Sequence, residues 1–367
     1  MKILFVNPWI YTSETRKIKR KKSIKDTMSF GLCSAFSEMG HDITLVEDIN
    51  FKPTEEEKYN FHVLYLEPGL KGIFIPNKLP WYPQLKMHLK ENHYDLLICS
   101  EAFFTSTFTC VRLYPQKTIV WQELALFQRA FFKIPAKLWY YIIVKYFYKS
   151  VRIVPRSNRA MHFIQAFSDN VSRTVIDHGV NIEEFHIADD TRKQFIIVSQ
   201  LIPRKRIDKS IIAFERFVKE YDADFRLLII GDGEQRSELE RMAQNTSCPD
   251  HIEFKGFLPH NRLVEHLAQS YALLVSTEQD NNILTINEAI ASGTPVVTNM
   301  TPYMSDYIAE KGLGIAKDDW DEHDLKSLVD YYEEYRKECI AIRNHLSYHN
   351  KVLLFEEEYR ENIHGDL

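Results

Sequence analysis

The stretch that decides the fold is STEQDNNILTINEAIASGTP, residues 276–295, which lies between the apolar runs 271–275 and 296–297. Apolar residues recur inside it at helical spacing, at Ile283, Ile286 and Ile290. Asn282 is placed to cap this helix, and Gly293 is placed to end it. The stretch therefore predicts a strand, a loop, a short helix and a second strand.

This order places the N-terminus of a helix just after the end of a strand, where ligands bind in open α/β sheets. The first backbone N–H groups of the helix lack partners within it and suit a phosphate, and we expect them at Ile283, Leu284 and Thr285. Asp280 and Glu288 flank the site, and carboxylates accept hydrogen bonds from hydroxyl groups. A hydroxylated ligand carrying a phosphate fits this pattern, which also occurs in α/β proteins without such a site.

Strand and helix patterns alternate along both halves of the 367-residue chain. A single hydrophobic core seldom grows beyond about 250–300 residues, so we expect two domains. The sequence predicts an α/β protein with two doubly wound Rossmann-like domains facing across a cleft. We place the N-terminal domain at residues 1–182 and the C-terminal domain at 183–345. A final helix, at 346–367, is expected to cross back to the N-terminal domain.

Composition indicates an ordinary globular protein, with 45% hydrophobic and 26% charged residues. The first residues already form a strand pattern, and no run of 18 apolar residues occurs, so we expect a cytoplasmic protein. The five cysteines are scattered without the spacing of a metal site: Cys33, Cys99, Cys110, Cys248 and Cys339. No pattern indicates nucleic-acid binding.

Charge is distributed unevenly between the halves. Residues 1–180 hold 25 Lys and Arg against 16 Asp and Glu, whereas residues 181–367 hold 21 against 35. Basic residues are concentrated in 16–25, and lysines alternate with aromatic and aliphatic residues in 131–149. The second segment fits either a helix lying on an anionic membrane surface or a helix packed on the sheet with its lysines reaching water. The first interpretation predicts a protein peripheral to the cytoplasmic face of the membrane.

Other motifs are weak when taken one at a time. Gly231 and Gly233 follow an apolar strand, but the third position of a dinucleotide fingerprint is Arg236. His178 is more typical of a loop residue than of a catalyst. Hydrolysis by the pair Asp280 and Glu288 would require two carboxylates that face each other across a substrate, and nothing in the sequence indicates that geometry.

Several stretches in order resemble the retaining GT-B glycosyltransferases of family 4. They are GHDI at 40–43, HGVN at 178–181, PRK at 203–205, IGDG at 230–233, FKGFL at 254–258 and EAIASGTPVV at 288–297. The resemblance covers nearly the whole chain. It implies a metal-independent hexosyltransferase that moves a sugar from a UDP- or GDP-sugar to a lipid-linked or surface-glycan acceptor, as in polysaccharide or lipopolysaccharide biosynthesis. No further cofactor is implied.

The resemblance also assigns residues to roles. Lys205 neutralises the leaving diphosphate, which the amides of Leu284 and Thr285 cradle. Glu288 holds the ribose, and Asp280 holds the sugar together with the backbone from Asn281 to Ile283. The remaining residues assigned to the donor are Asn282, Arg204, Phe257 and Leu258, and the acceptor face is assigned to Glu123.

Four features depart from the family pattern. Gln200 stands where the family has an arginine, so either Arg204 or Arg206 supplies the second positive charge or the donor is bound more weakly. The first acid of the family motif is Asp280 rather than a glutamate. The glycine-rich loop after the first strand is replaced by the basic segment 11–25, and the N-terminal histidine by Gln122 or Glu123.

Gln200 and the missing glycine-rich loop leave an alternative, a catalytically silent partner subunit that keeps the fold.

Overall fold

The computed structural model describes residues 1–8, 23–25, 27–69, 80–127, 133–279 and 283–364. The chain divides into two compact units. Unit 1 comprises Met1–Gly179 and Tyr348–Leu367, and unit 2 comprises Val180–Ser347. Each unit contains a six-stranded sheet with helices between its strands, so the predicted α/β class with two doubly wound Rossmann-like units is confirmed.

The sheet of unit 1 is parallel, with strand order β3-β2-β1-β4-β5-β6. Its strands are β1 (Lys2–Val6), β2 (Asp42–Asp48), β3 (His62–Leu66), β4 (Leu96–Ser100), β5 (Thr118–Gln122) and β6 (Arg152–Pro155). Its helices before the unit boundary are α1 (Met28–Glu38), α2 (Pro83–Glu91), α3 (Thr105–Leu113), α4 (Lys133–Leu138), α5 (Lys145–Phe147) and α6 (Asn158–Gln165), with a π-helix at Trp139–Val144 between α4 and α5. Every residue of β4 and β5 is buried, as a parallel strand covered on both faces requires.

The sheet of unit 2 is also parallel, with strand order β12-β11-β10-β7-β8-β9. Its strands are β7 (Arg192–Val198), β8 (Arg226–Ile230), β9 (Ile252–Gly256), β10 (Ser270–Val275), β11 (Val296–Thr298) and β12 (Gly314–Ala316). Its helices are α7 (Ile207–Glu220), α8 (Arg236–Gln244), α9 (His260–Ala268), α10 (Leu284–Ala291), α11 (Ser305–Lys311), α12 (Glu322–Asp330) and α13 (Tyr332–Ile342). Strands β8 and β9 lie on one side of β7, and β10, β11 and β12 lie on its other side. The topological switch point is therefore between β7 and β10.

A glycine lets the chain pass close to the end of β7. Gly231 has φ +133°, and a Cβ atom there would lie 1.8 Å from the carbonyl oxygen of Ser199. Side chains cannot occupy that space, and few residues other than glycine adopt this φ. The tight approach keeps the segment after β8 against the segment after β7.

The C-terminal helix, α14 (Tyr348–His364), completes the core of unit 1. Its Phe355 is fully buried, with its ring centroid 5.4 Å from that of Trp121 and 6.2 Å from that of Phe36. Charged groups flank this contact. The Glu356 carboxylate lies 2.7 Å from the His41 ring, and Glu358 accepts a hydrogen bond of 2.7 Å from Arg152. The helix is therefore an integral part of the first unit.

Replacing Phe355 with alanine should destabilise unit 1 by about 3–5 kcal/mol, because a buried aromatic ring is lost and a cavity remains. Urea denaturation followed by tryptophan fluorescence measures the change. Leu353→Ala on the same helix is the matched control, since Leu353 is 45% exposed. Equal stability of the two variants would contradict the role assigned to α14.

Candidate functional site

The switch point of unit 2 brings together two segments that the sequence analysis singled out. Lys205 comes after β7, and Ser276 comes directly after β10, the neighbouring strand. Both residues line one small pocket, together with Ser199, Ser210 and Ile283. Parallel strands end at the same edge of a sheet, which explains why residues about 70 positions apart in the sequence meet here.

Lys205 ends a short 3-10 helix, Pro203–Lys205. The next residue, Arg206, has φ 43° and ψ 43°, and this left-handed conformation turns the chain into α7. Lys205 is half-buried, so part of its aliphatic stem is covered by protein. The turn therefore holds a lysine at the edge where the two central strands end.

The helix of the opening stretch begins one residue later than predicted. Its first residue is Leu284 and its N-cap is the buried Ile283, whose side chain makes no capping hydrogen bond. The predicted cap, Asn282, lies outside the described residues, as do Asp280 and Asn281. Thr285 contributes a buried hydroxyl oxygen for which the described part of the chain supplies no hydrogen-bond partner. The first turn thus offers backbone N–H groups and one unused hydroxyl.

Glu288 lies one turn further along α10 and is almost fully buried. Burial raises the pKa of its carboxyl group, an effect that Glu184 increases and His260 opposes. Oε2 of Glu184 lies 3.0 Å from Nε2 of His260. Glu288 is therefore a largely buried carboxyl group, for which hydrogen bonds from ligand hydroxyls would replace lost hydration.

The two arginines named as substitutes for the missing family arginine differ in their surroundings. One guanidinium nitrogen of Arg204 lies 3.5 Å from the carbonyl oxygen of Gln279. Arg206 instead donates to the carboxylates of Asp208 and Glu278, with shortest distances of 2.9 Å to each. The charge of Arg206 is thus already matched by two carboxylates.

Phe257 and Leu258 follow β9 at the same edge of the sheet. Gly256, the last residue of β9, has φ +68° and turns the chain there. Phe257 is 83% exposed, whereas Leu258 is partly buried against the core of unit 2. An aromatic ring held in solvent offers a flat apolar face for stacking.

A second polar cluster occurs in unit 1, where β4, β5 and β6 end. The Arg156 guanidinium lies 3.7 Å from the ring centroid of Trp121 and donates a hydrogen bond of 2.9 Å to the Glu123 carboxylate. It also donates to Nε2 of His178 at 3.1 Å. Because arginine can only donate, Nε2 of His178 is the acceptor, which places the ring proton on Nδ1. The structure thus brings Glu123 and His178 together around one buried arginine.

Glu101 supports this cluster from the end of β4. Its backbone has φ 60°, and its buried carboxylate accepts hydrogen bonds from the N–H groups of Glu123 at 2.8 Å and Leu124 at 3.3 Å. Burial raises the pKa of Glu101 to about 7, with Arg156 acting in the opposite direction and Glu123 in the same direction.

Arg156 and Glu101 were not predicted from the sequence, although the sequence carries a signal for both. Each charged residue stands at or just after the end of a buried apolar strand. Gln122, named beside Glu123 as the replacement for the family histidine, is fully buried. Its side chain bonds Ala102 N, Leu124 O and the Tyr140 hydroxyl, so its role is structural.

The segment predicted to contact a membrane presents two faces. Tyr140, Val144 and Tyr148 are fully buried in unit 1. Apolar side chains on the other face are exposed: Ile134, Leu138, Tyr141, Ile142, Tyr146 and Phe147. Lys137, Lys145 and Lys149 are exposed among them. Residues 16–22 and 131–132 of the predicted surface lie outside the described residues.

None of the helices in the part of the chain that the structure describes is long and apolar enough to cross a membrane. Among the same residues, no group of three or more His, Cys, Asp and Glu side chains could hold a metal ion.

Residues 181–347 match a family model described as glycosyl transferases group 1. An alpha-monoglucosyldiacylglycerol synthase from Streptococcus pneumoniae is 30% identical over 141 residues, which are 38% of this chain and 31% of that enzyme. The chain matches less than half the length of the first curated relatives.

Solved structures match over both units. A glycosyltransferase from Rickettsia africae has a TM-score of 0.67 and 14% sequence identity, and the match covers 99% of this chain and 98% of that one. Anabaena HepE in complex with UDP has a TM-score of 0.66 and 14% identity, covering 97% and 99%. At this level of identity the likeness shows the fold, which is the GT-B architecture predicted from the sequence.

Glu101→Gln should weaken the pH dependence of the stability of unit 1. Because the folded pKa of about 7 exceeds the usual value of 4.5, the native state binds more protons than the unfolded chain between these values. Stability therefore falls as pH rises through this window, and glutamine removes that contribution. Urea denaturation at several pH values measures the slope. Glu357→Gln, at an exposed position of α14, should keep the wild-type slope. Identical slopes in all three proteins would contradict the assignment.

Proposed function

We propose that this protein is a retaining, metal-independent hexosyltransferase of class EC 2.4, and the match of residues 181–347 to the group 1 glycosyl transferases supports this. It moves a hexose from a nucleotide-diphosphate sugar to a lipid-linked or surface-glycan acceptor. The observation that carries this proposal is the pocket at the switch point of unit 2, where Lys205 and Ile283 at the start of α10 line the same space.

The donor is held by its diphosphate in this proposal. The Lys205 ammonium and the amides of Leu284 and Thr285 converge on the leaving group, and the buried hydroxyl of Thr285 adds a donor. A preorganised cation and helix dipole stabilise the charge that develops as the sugar departs. Asp280, Asn281 and Asn282 hold the sugar, an assignment that the family resemblance supports.

The nucleoside lies on the other groups of unit 2. Ribose hydroxyls donate to the buried Glu288 carboxylate, and Phe257 offers its exposed ring to the base. Leu258 packs beneath that loop, and Arg204 reaches the segment before Asp280. UDP is bound by the similar Anabaena protein, so a UDP-sugar is the first donor to test and a GDP-sugar the second.

The acceptor side of the reaction belongs to unit 1. Glu123 is the proposed acceptor group, and its carboxylate is oriented by Arg156. Attack occurs on the face that the diphosphate leaves, so configuration is retained, and a phosphate oxygen takes the acceptor proton. The Streptococcus pneumoniae relative is named for a glucosyl diacylglycerol product, which supports a lipid acceptor.

Lys205→Ala should lower kcat/KM for the donor about 100- to 1,000-fold, because one preorganised charge contributes about 2.7–4 kcal/mol to transition-state stabilisation. Release of nucleoside diphosphate from UDP- and GDP-sugars measures the rate. Lys209→Ala is the matched control, since Lys209 is exposed and pairs with Asp319. Its rate should stay close to that of the wild type.

Donor binding is followed separately by thermal shift with UDP, and Glu288→Gln should reduce that shift. A wild type that binds UDP without turning over any donor sugar would support the silent partner subunit, for which Gln200 is the motivating position. A wild type that neither binds nor turns over UDP-, GDP- or dTDP-sugars would contradict the proposed function.

The membrane contact is the remaining part of the proposal. The exposed apolar face of 134–147 carries lysines in the half of the chain with excess positive charge, which complements an anionic leaflet at about 1 kcal/mol per charge. The protein would then work at the cytoplasmic face of a membrane, next to a lipid-linked acceptor.

Wild-type protein should float with vesicles that contain anionic lipid and not with neutral vesicles. A variant with both Leu138→Glu and Ile142→Glu should lose this association, because charged side chains replace two exposed apolar groups. Ile212→Glu, at an exposed isoleucine of unit 2, should float as the wild type does. Failure of the wild type to bind anionic vesicles would overturn the membrane contact and leave the transferase activity to be judged by its own assay.

A further inference from the structure

We propose that Arg206 is a positioning residue that holds Lys205 in register with the loop leading to α10. The inference rests on the proposed transfer reaction, in which Lys205 and the start of α10 act on one diphosphate. It also replaces one expectation from the sequence, that Arg206 supplies a second positive charge to the donor.

The backbone of Arg206 is the first observation. Its φ of 43° and ψ of 43° lie in the left-handed region, which non-glycine residues rarely adopt because it is sterically unfavourable for them. Such a conformation persists where surrounding contacts hold it. Here it joins the turn that carries Lys205 to the first residue of α7.

The side chain of Arg206 supplies those contacts. Its Nε lies 3.1 Å from Oδ1 of Asp208, and one terminal nitrogen lies 2.9 Å from Oδ2 of the same carboxylate. The other terminal nitrogen lies 2.9 Å from Oε1 of Glu278. One arginine therefore connects the N-terminus of α7 to the loop after β10.

The backbone makes the same connection beside it. Glu278 N donates to the carbonyl oxygen of Arg204 at 2.8 Å, and the Thr277 hydroxyl donates to that oxygen at 3.2 Å. On the far side, the Asn299 side chain bonds both backbone groups of Thr277, at 2.8 and 3.1 Å. Lys205 thus lies between two residues that are both attached to 277–278.

A direct role for Arg206 makes a different prediction from a positioning role. If Arg206 binds the diphosphate directly, the diphosphate competes with the Glu278 carboxylate for the guanidinium. Removing that carboxylate would then preserve or strengthen donor binding. An arginine that acts through Glu278 loses its function when either partner is removed. The two variants would then be equivalent, and combining them would add nothing.

The test is a double-mutant cycle with Arg206→Gly and Glu278→Ala. Glycine adopts the left-handed conformation without strain, so the backbone turn is kept while the guanidinium is lost. Each single variant should lower kcat/KM for the donor about three- to fivefold, the size expected for a partly exposed ion pair, and the double variant should match the singles. Arg206→Lys should recover part of the loss.

A matched control exists at the opposite end of the same sheet. Lys193, near the start of β7, bridges the carboxylates of Asp222 and Asp224 at 2.9 and 3.3 Å. Lys193→Ala removes a comparable exposed ion pair at a distance from the proposed donor site, and it should leave kcat/KM unchanged. Additive losses in the cycle, or donor binding that is unchanged or tighter in Glu278→Ala, would overturn the positioning role.

Amide hydrogen exchange supplies a readout independent of activity. The Glu278 amide should exchange faster in Arg206→Gly and Glu278→Ala than in the wild type, because the attachment of 277–278 is loosened. If the Glu278 amide exchanges at the same rate in the variants and the wild type, and the wild type turns over donor, only the positioning role is overturned. Faster exchange with a wild type that binds no donor would overturn the proposed function, and with it any part for Arg206 in catalysis.

Discussion

Parallel pairing is the constraint on which the rest of this structure depends. Every strand of a parallel sheet ends at the same edge, and helices cover both faces, so polar groups that leave the core collect at that edge. Lys205 and Ser276 come together there in unit 2, and Glu101 and Arg156 in unit 1. The parallel sheets therefore bring together polar residues that are far apart in the sequence.

The two clusters handle buried charge differently. In unit 1, Arg156 is enclosed by Glu123, His178 and the Trp121 ring, so the charge is compensated before any ligand arrives. In unit 2, Glu288 is buried in α10 with a raised pKa, and Thr285 retains an unused hydroxyl among the described residues. A buried hydroxyl without a hydrogen-bond partner costs free energy unless a ligand completes its hydrogen bonds. Unit 1 has a buried donor of the same kind, because Nε of Arg156 has no partner among the described residues.

Much of the fold and part of the site could be predicted from the sequence. Apolar runs followed by turn residues located the strands, and the motifs of the C-terminal half indicated the group 1 glycosyl transferases, whose family model matches residues 181–347. Lys205 and Glu288 were named as candidates because they lie within recognisable motifs, and the structure places Lys205 beside Ile283 in one pocket. Arg156 and Glu101 were missed because each is a single charged residue after a strand, and their meaning comes from neighbours 20 or more positions away. The pairing of Arg206 could not be predicted from the sequence either, since its partner Glu278 is 72 positions away.

The sequence by itself determined the alternation of strands and helices and the two-unit architecture, because these follow from local periodicity and residue type. Tertiary structure alone decided which charges are already compensated. Arg204 and Arg206 are two positions apart and chemically identical, yet the left-handed turn directs one of them onto two carboxylates. It also decided that Glu123 is oriented by an arginine and that Phe257 stands in solvent, because exposure and pairing depend on which strand ends are neighbours.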